Sequence, residues 1–424
     1  MNISEKDRQI LNELAKKQLE IANHPIMDER KRQWTASNDL NPERPMILVE
    51  TVQIKNYMPD SELECEEKTW RLIERAMKED IRHYEEIGDD FVMEPVCRIP
   101  WDVTTSDFGV EIPTYTSQAD SDSGAYVFGH VIKRPDDIKK LKTRTRAVNR
   151  ESTLQKKAIL EDIFAGILPI EISSNGLFSS EDFPPQIGLE FLGITMQLFE
   201  FLGMDRMSLW AYDEPEALHE LMEFIAQDRI NYINFMNKEG LYGSNCTNLL
   251  PVGGSYGYTN DLPAPNINGT FTSKDIWGWT ECQEGAIFSP EMFNEFFLPY
   301  LAKVVGKYGL ANYGCCEPIH DRIEYVKAAI PNLRAVSVCG WADYEIMAES
   351  LGNKYIYAKK PRPQYISGYL DWDELKKDIR EVIQATTKHN CVVQYIFRDI
   401  CKLVNDDRRV LGEWVSMARS MLGM

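Results

Sequence analysis

The sequence predicts an α/β protein, a (β/α)8 TIM barrel with an N-terminal helical and irregular extension. Three observations lead there. Residues 310–424 alternate four short apolar runs with four amphipathic ones, the pattern of parallel strands joined by right-handed helical crossovers. Four more apolar runs lie between 167 and 281 and bring the strand count to the number that closes a barrel. The composition also changes character near residue 150, which divides the chain into an extension or cap at 1–150 and the barrel at 151–424.

Within 1–150, charged helices are expected at 4–22 and 61–87. Between them run Pro- and Asp-rich connections such as NPERPMILVE, EPVCRIPWDVTTSDFG and TYTSQADSDSG, as in a lid. The first four barrel strands are placed at ILPIEIS (167–173), at RMSLWA (206–211), and around LLPVGG and IWGWTE. SPEMFNEFFLPYLAKVVGKYG reads as one helix. Ser289 is its N-cap, Pro290 its first residue, and Gly309 follows its last turn. Met292, Phe293, Phe296, Phe297, Tyr300, Leu301, Val304 and Val305 recur at helical spacing, so one face is core. A strand (310–314), a helix (318–329), the strand RAVSVC, the helix ADYEIMAESLG and the strand KYIYAKK follow. The helix DWDELKKDIREVIQATTKHN, the strand CVVQYIF and a terminal helix complete the chain.

Composition narrows the function classes. A content of 43% hydrophobic and 27% charged residues is that of a globular protein with a sizeable core. The formal charge of −19, from 66 acidic against 47 basic residues, argues against nucleic acid and membrane surfaces as partners. The start, MNISEKDRQILNEL, lacks the charged and apolar regions of a leader, and nine cysteines without framework spacing fit reduced thiols. A cytoplasmic protein is the expectation.

In a barrel of this kind the chemistry sits where the strands end. That rule gathers Trp277, Trp279, Glu281, Cys315, Cys316, Glu317, Cys339, Trp341, Lys359, Arg362, Arg398, Asp399 and Cys401 at one mouth. The glycine-rich PVGGSYGY (251–258) lacks a phosphate-binding lysine and reads as a flexible loop holding Tyr256 and Tyr258 over it. No P-loop, dinucleotide fingerprint or HExxH is present, and the six histidines sit in charged or helical contexts. Acid–base work therefore falls to Glu281, Glu317 and Asp399. The competing reading is a salt bridge for each with Lys359, Arg362 or Arg398. Adjacent side chains leave a strand in opposite directions, so Tyr313 and Cys315 are expected to point inward and Cys316 to pack outward. Cys315 is then the thiol available to a zinc ion, and inert buried thiols are the alternative.

The run WGWTECQEGAIFSPEMFNEFFLPYLAKVVGKYGLANYGCCEPIHDRIEYV, with NKYIYAKKPRP and YIFRDI, resembles the uroporphyrinogen decarboxylase-like superfamily, in particular its bacterial branch associated with corrinoid-dependent methyl transfer. HPIMDERKRQWTASNDLNPERPMILVE resembles the same branch. The superfamily implies a (β/α)8 barrel and includes tetrapyrrole decarboxylases and zinc methyltransferases. Two departures stand out. The decarboxylases' Arg-Gln-Ala-Gly-Arg motif has no match in residues 40–60, and Tyr313 stands where the zinc methyltransferases carry the histidine of His-x-Cys. Cys315 matches the cysteine of that motif, and Cys339 and Cys401 supply later thiols.

The resemblance thus implies a methyltransferase. It would move a methyl group from a small methylated substrate, an aromatic methyl ether first, to the cob(I)alamin of a separate corrinoid protein. Glu281, Glu317, Asp399 or a zinc on Cys315, Cys339 and Cys401 would stabilise the departing oxygen. Trp277, Trp279, Tyr256, Tyr258, Tyr313, Trp341 and Arg398 would line the substrate site. A homodimer is compatible with this reading. Two alternatives are a decarboxylase gripping a small acid through Arg362, Arg398 and Lys359, and a non-catalytic corrinoid- or tetrapyrrole-binding protein.

Overall fold

The computed structural model describes residues 3–55, 57–116, 126–173, 194–249, 253–263 and 269–424. Among them the parallel strands, numbered in chain order, are β1 Met46–Val49, β2 Cys97–Pro100, β3 Ile170–Ser173, β4 Trp277–Thr280, β5 Leu310–Tyr313, β6 Leu333–Val338, β7 Ile356–Lys359 and β8 Val392–Phe397. Six of them form one parallel sheet in the order β1-β8-β7-β6-β5-β4, and β2 pairs with β3 in a second ladder. The fold is a mixed α/β architecture, and no closed barrel ladder runs through the described residues.

The edges of the large sheet explain where the ladder stops. On β1, the amides of Ile47 and Val49 donate to the carboxylates of Asp90 and Asp89 at 2.9 and 2.8 Å, and the Asp90 amide donates to the Ile47 carbonyl at 2.9 Å. At the far edge the Asn245 carboxamide bonds both the amide and the carbonyl of Trp277, at 2.9 and 3.0 Å. Side chains thus satisfy edge groups that a neighbouring strand would otherwise take.

Five strands fall where the sequence places them in the C-terminal half, and β3 falls in ILPIEIS. One expected strand does not, and another lies largely outside the described residues. RMSLWA lies in the helix Met204–Asp213, where Met207, Trp210 and Ala211 are buried at helical spacing. Of LLPVGG, Leu250, Pro251 and Val252 lie outside the described residues, and Gly253 and Gly254 turn with φ of 56° and 95°. β1 and β2 come instead from the first 150 residues, so the segment read as an extension supplies a strand to each ladder. The helix expected over 289–309 is two, Pro290–Phe296 and Leu298–Val305, because Pro299 has no amide to continue the first. The expected helix at 318–329 is only Ile323–Ala329. No helix among the described residues is long and apolar enough to cross a membrane.

The two faces of the large sheet differ in kind. Ile47, Val49, Tyr313, Val336, Val338, Tyr357, Tyr395 and Phe397 join the main apolar core beneath the helices; Phe397 lies 4.6 Å from Trp414, centroid to centroid. The opposite face carries Asn312, Ala335, Ser337, Ala358 and Gln394, all fully buried. The segment 253–258 lies against it. Ser255 Oγ donates to Gln394 Oε1 at 2.7 Å, Trp277 Nε1 donates to the Gly257 carbonyl at 2.9 Å, and Asn38 Nδ2 donates to the carbonyls of Tyr256 and Tyr258 at 2.8 Å. This stretch, expected as a loop over the mouth, is a buried plug. Glycine is required there. A Cβ on Gly253 would sit 2.5 Å from Asn312 Nδ2, and one on Gly254 2.9 Å from Glu50 Oε2.

Candidate active site

The C-terminal ends of the six-stranded sheet converge on a cluster of thiols, carboxylates and cations. β5 ends at Tyr313, and Gly314 then takes φ 96°, a conformation that releases the chain from the strand before the cysteines. Cys315 and Cys316 therefore do not alternate across a sheet. Their sulfurs lie 3.5 Å apart, and Cys316 Sγ donates to Asp399 Oδ2 at 3.2 Å. Tyr313, expected to point inward, turns to the helix side, with its ring 6.4 Å from Phe293. Asn312 takes the inner face instead.

Glu317 holds two strand ends together. Its Oε1 accepts the Cys282 amide at 3.0 Å and its Oε2 the Cys315 amide at 2.9 Å, joining the segment after β4 to the one after β5. Glu281 is buried and accepts from the Gln283 amide at 2.6 Å. Burial pushes its carboxyl well above the usual range, and the charges of Glu317 and Glu284 add to the effect. Burial also raises Glu317, against the pull of the amides that bind it.

Arg398 and Asp399 follow β8. The Arg398 guanidinium lies 5.4 Å from the centre of the Trp279 ring, with Nε 3.4 Å from Glu50 Oε2 and 3.3 Å from Asp399 Oδ1. Trp279 Nε1 donates to the Gly314 carbonyl at 2.9 Å, which fixes the ring beneath the guanidinium. Lys360, one residue past β7, points to the same face and donates to the Gly253 carbonyl. Burial, then the nearby Arg398 charge, lowers its pKa to about 7. Burial raises Glu50, opposed by Arg398 and Lys360. The hydrogen bond from Cys316, then the Arg398 charge, draws the Cys315 thiol below its ordinary value, and the same shared proton raises Cys316.

Of the residues singled out from sequence, Glu281, Glu317, Cys315, Cys316, Asp399, Arg398 and Trp279 come together here. Others do not. Trp277 is buried in the floor with Leu262 and Ala335. Tyr256 packs edge-on to Trp34 at 5.3 Å, and Tyr258 donates to Glu94 at 2.6 Å. Lys359 faces the helices, paired with Asp378 at 2.9 Å and donating to the Tyr344 hydroxyl at 2.7 Å. Arg362 Nε donates to the Gly340 carbonyl, and Trp341 is solvent-exposed. Glu50, Lys360, Asn312 and Ser337 escaped the sequence reading. Glu50 closes the apolar run MILV as Glu281 closes WGWT, and that parallel was the available signal.

The expected zinc ligands do not form a set. Cys339 is buried, Cys401 is exposed with Sγ 3.9 Å from the Asp399 carbonyl, and the histidine position holds the outward Tyr313. Among the described residues no group of three or more His, Cys, Asp or Glu is arranged to hold a metal ion. The donor set does not fit zinc, and no step below uses one.

No family model matches the chain, and no curated protein matches it. Among solved structures, a methyltransferase from Methanosarcina mazei is similar over 93% of this chain and 99% of its own, at 12% identity and a TM-score of 0.47. At that level the likeness transfers neither activity nor residue roles.

Proposed function

We propose that this mouth moves a methyl group from a small methylated donor, an aromatic methyl ether first among them, to the cob(I)alamin of a separate corrinoid protein. We further read the two parallel ladders as parts of one (β/α)8 barrel. The pairing of the first strand with the last supports this. The observation that carries the functional reading is the buried Glu281 carboxyl at the mouth, with one oxygen on the Gln283 amide; burial and then its acidic neighbours push its pKa well above the usual range.

The reduced corrinoid, bound to its own protein, supplies the nucleophile. For an ether donor the methyl–oxygen bond breaks, the electron pair stays on the oxygen, and that oxygen must gain a proton. Glu281 has one oxygen held by the Gln283 amide and the other free for such a transfer. Both Glu317 oxygens are held by amides, so Glu317 positions the loops. Trp279 provides an aromatic wall against which an arene stacks.

The test is a methyl-transfer assay with a reduced corrinoid protein and a panel of methoxylated arenes and methylamines. Glu281→Gln should lower the rate at least ~100-fold, the lower range for losing a general acid, while the thermal midpoint holds or rises. Unchanged turnover in a folded Glu281→Gln protein would remove the carrying observation. Absence of transfer from the whole panel would end the reading. A second reading, decarboxylation of a small acid, draws support from the buried Arg398. Carbon dioxide release without methyl transfer would favour it.

A further inference from the structure

Cys315 and Cys316 take no part in the acid–base chemistry of Glu281, yet the fold holds them as a pair. Their sulfurs stand 3.5 Å apart, although neighbouring side chains within a strand point to opposite faces. Gly314 brings this about by turning the backbone at φ 96°, and Glu317 fixes the result by accepting the Cys315 amide at 2.9 Å. Both thiols are half-buried at the mouth and open to a small molecule, whereas Cys65, Cys97, Cys282 and Cys339 are buried.

Each thiol also has the neighbour that disulfide exchange needs. Cys316 Sγ donates to Asp399 Oδ2 at 3.2 Å, so a carboxylate is in place to take its proton. The hydrogen bond from Cys316 and then the Arg398 charge favour the Cys315 thiolate, which is the attacking form. Neighbouring Cα atoms stand about 3.8 Å apart, short of the ~4.4–6.8 Å that most disulfides span, and a bond closed under such strain is readily reduced. The pair suits a bond that forms and breaks, not a permanent cross-link.

We propose that Cys315 and Cys316 are a site of reversible oxidation, closing to a disulfide between adjacent residues by exchange with a low-molecular-weight disulfide. The Cys315 thiolate attacks one sulfur of the oxidant, whose S–S bond breaks. The first thiol leaves with the proton that Cys315 has shed. Asp399 Oδ2 then takes the Cys316 proton, and the Cys316 sulfur attacks Cys315 Sγ and expels the second thiol. Two protein thiols lose two protons and two electrons, and the oxidant becomes two thiols. Closing the bond also removes the hydrogen that Asp399 accepts, which changes the charge pairing around Arg398. No methyl donor, corrinoid or metal enters the inference, so it stands apart from the methyl-transfer reading.

The test equilibrates the full chain in buffers of oxidised and reduced glutathione, blocks free thiols with N-ethylmaleimide, and reads tryptic peptides by mass spectrometry. The peptide 308–322 holds these two cysteines and no other. It should become lighter by two hydrogens, resist N-ethylmaleimide, and regain both thiols with dithiothreitol. The equilibrium constant for closure should be at least about tenfold larger in the folded chain than in urea, because the fold already brings the sulfurs together. Cys316→Ser should stop at one glutathione on Cys315, and Asp399→Asn should accumulate the same mixed disulfide. Four results on the wild-type chain would each overturn the inference, whether or not the variants fold. They are a pair that stays reduced while the exposed Cys401 is glutathionylated, two glutathiones on peptide 308–322, a cross-link from that peptide to Cys401, and an equal closure constant in urea.

Discussion

Lys359 and Lys360 are neighbours in sequence with opposite environments. Lys359 lies under the helices, bonded to Asp378 and Tyr344, whereas Lys360 lies on the inner face among Arg398, Glu50 and the thiols. Tyr313 and Asn312 repeat the contrast one sheet edge away. The difference teaches that one face of this sheet is organised for packing and the other for chemistry, and that a shift of one residue exchanges the two roles.

The strongest way to break the comparison is to remove a cation from the packing face. Lys359→Met leaves the Asp378 carboxylate without its buried partner and should cost about 3–5 kcal/mol, the usual penalty for stranding a buried charge. Denaturant unfolding measures it. The same change at Lys360, which donates to the Gly253 carbonyl and lies beside the like charge of Arg398, should cost less than half as much and damage ligand binding instead. Equal destabilisation by both substitutions would show that the inner face is as structural as the outer.

This contrast also marks what could be read in the sequence. Strands β5 to β8 were legible because each is an apolar run between a turn and an amphipathic helix. β1 and β2 were not, because MILV and CRIP are embedded among prolines and charges. RMSLWA was misassigned because six residues are too few to separate the strand period from the helix period. The thiols, acids and Arg398 were legible as strand-end chemistry. The inward register was not, since Gly314 resets the direction of Cys315 and Cys316 after the strand has ended.

A smaller effect concerns the pair of thiols. The single Cys316 thiol hydrogen lies between Asp399 Oδ2 and Cys315 Sγ, and its share in the bond to Cys315 favours the thiolate there, so Cys316→Ala should raise the Cys315 pKa and slow its alkylation. Rates of reaction with iodoacetamide between pH 7 and 9, read at Cys315 by mass spectrometry, check it. Faster alkylation in Cys316→Ala would mean that Arg398 alone governs the thiol.

Glu281 gives a pH signature of similar size. Its carboxyl has a higher pKa folded than unfolded, so folding favours the protonated form. That stability is fully present below the unfolded value, ~4.3, and is lost as pH rises towards the folded one. Between pH 5 and 7 the wild type should therefore lose stability relative to Glu281→Gln. Parallel pH profiles for the two proteins would show that Glu281 ionises freely in the fold.

The smallest effect sharpens the comparison most. Tyr313 stands at the position where the resemblance places a metal-binding histidine, yet its ring packs against Phe293 and its hydroxyl is buried without a partner. Burial accordingly drives the phenol pKa far upward, with the charges of the nearby acids reinforcing it. Tyr313→Phe keeps the ring and deletes a group that has lost its water and gained nothing, so stability should hold or rise by up to ~1 kcal/mol, less than the cost of leaving a polar group unsatisfied. Ligand affinity should not change, because the side chain faces the helices. Tyr313→His should restore no metal affinity for the same reason, and should lower the melting temperature by placing a polar ring in an apolar contact. Zinc binding by Tyr313→His, measured by competition with a chromogenic chelator, would reverse the assignment of the two faces at β5.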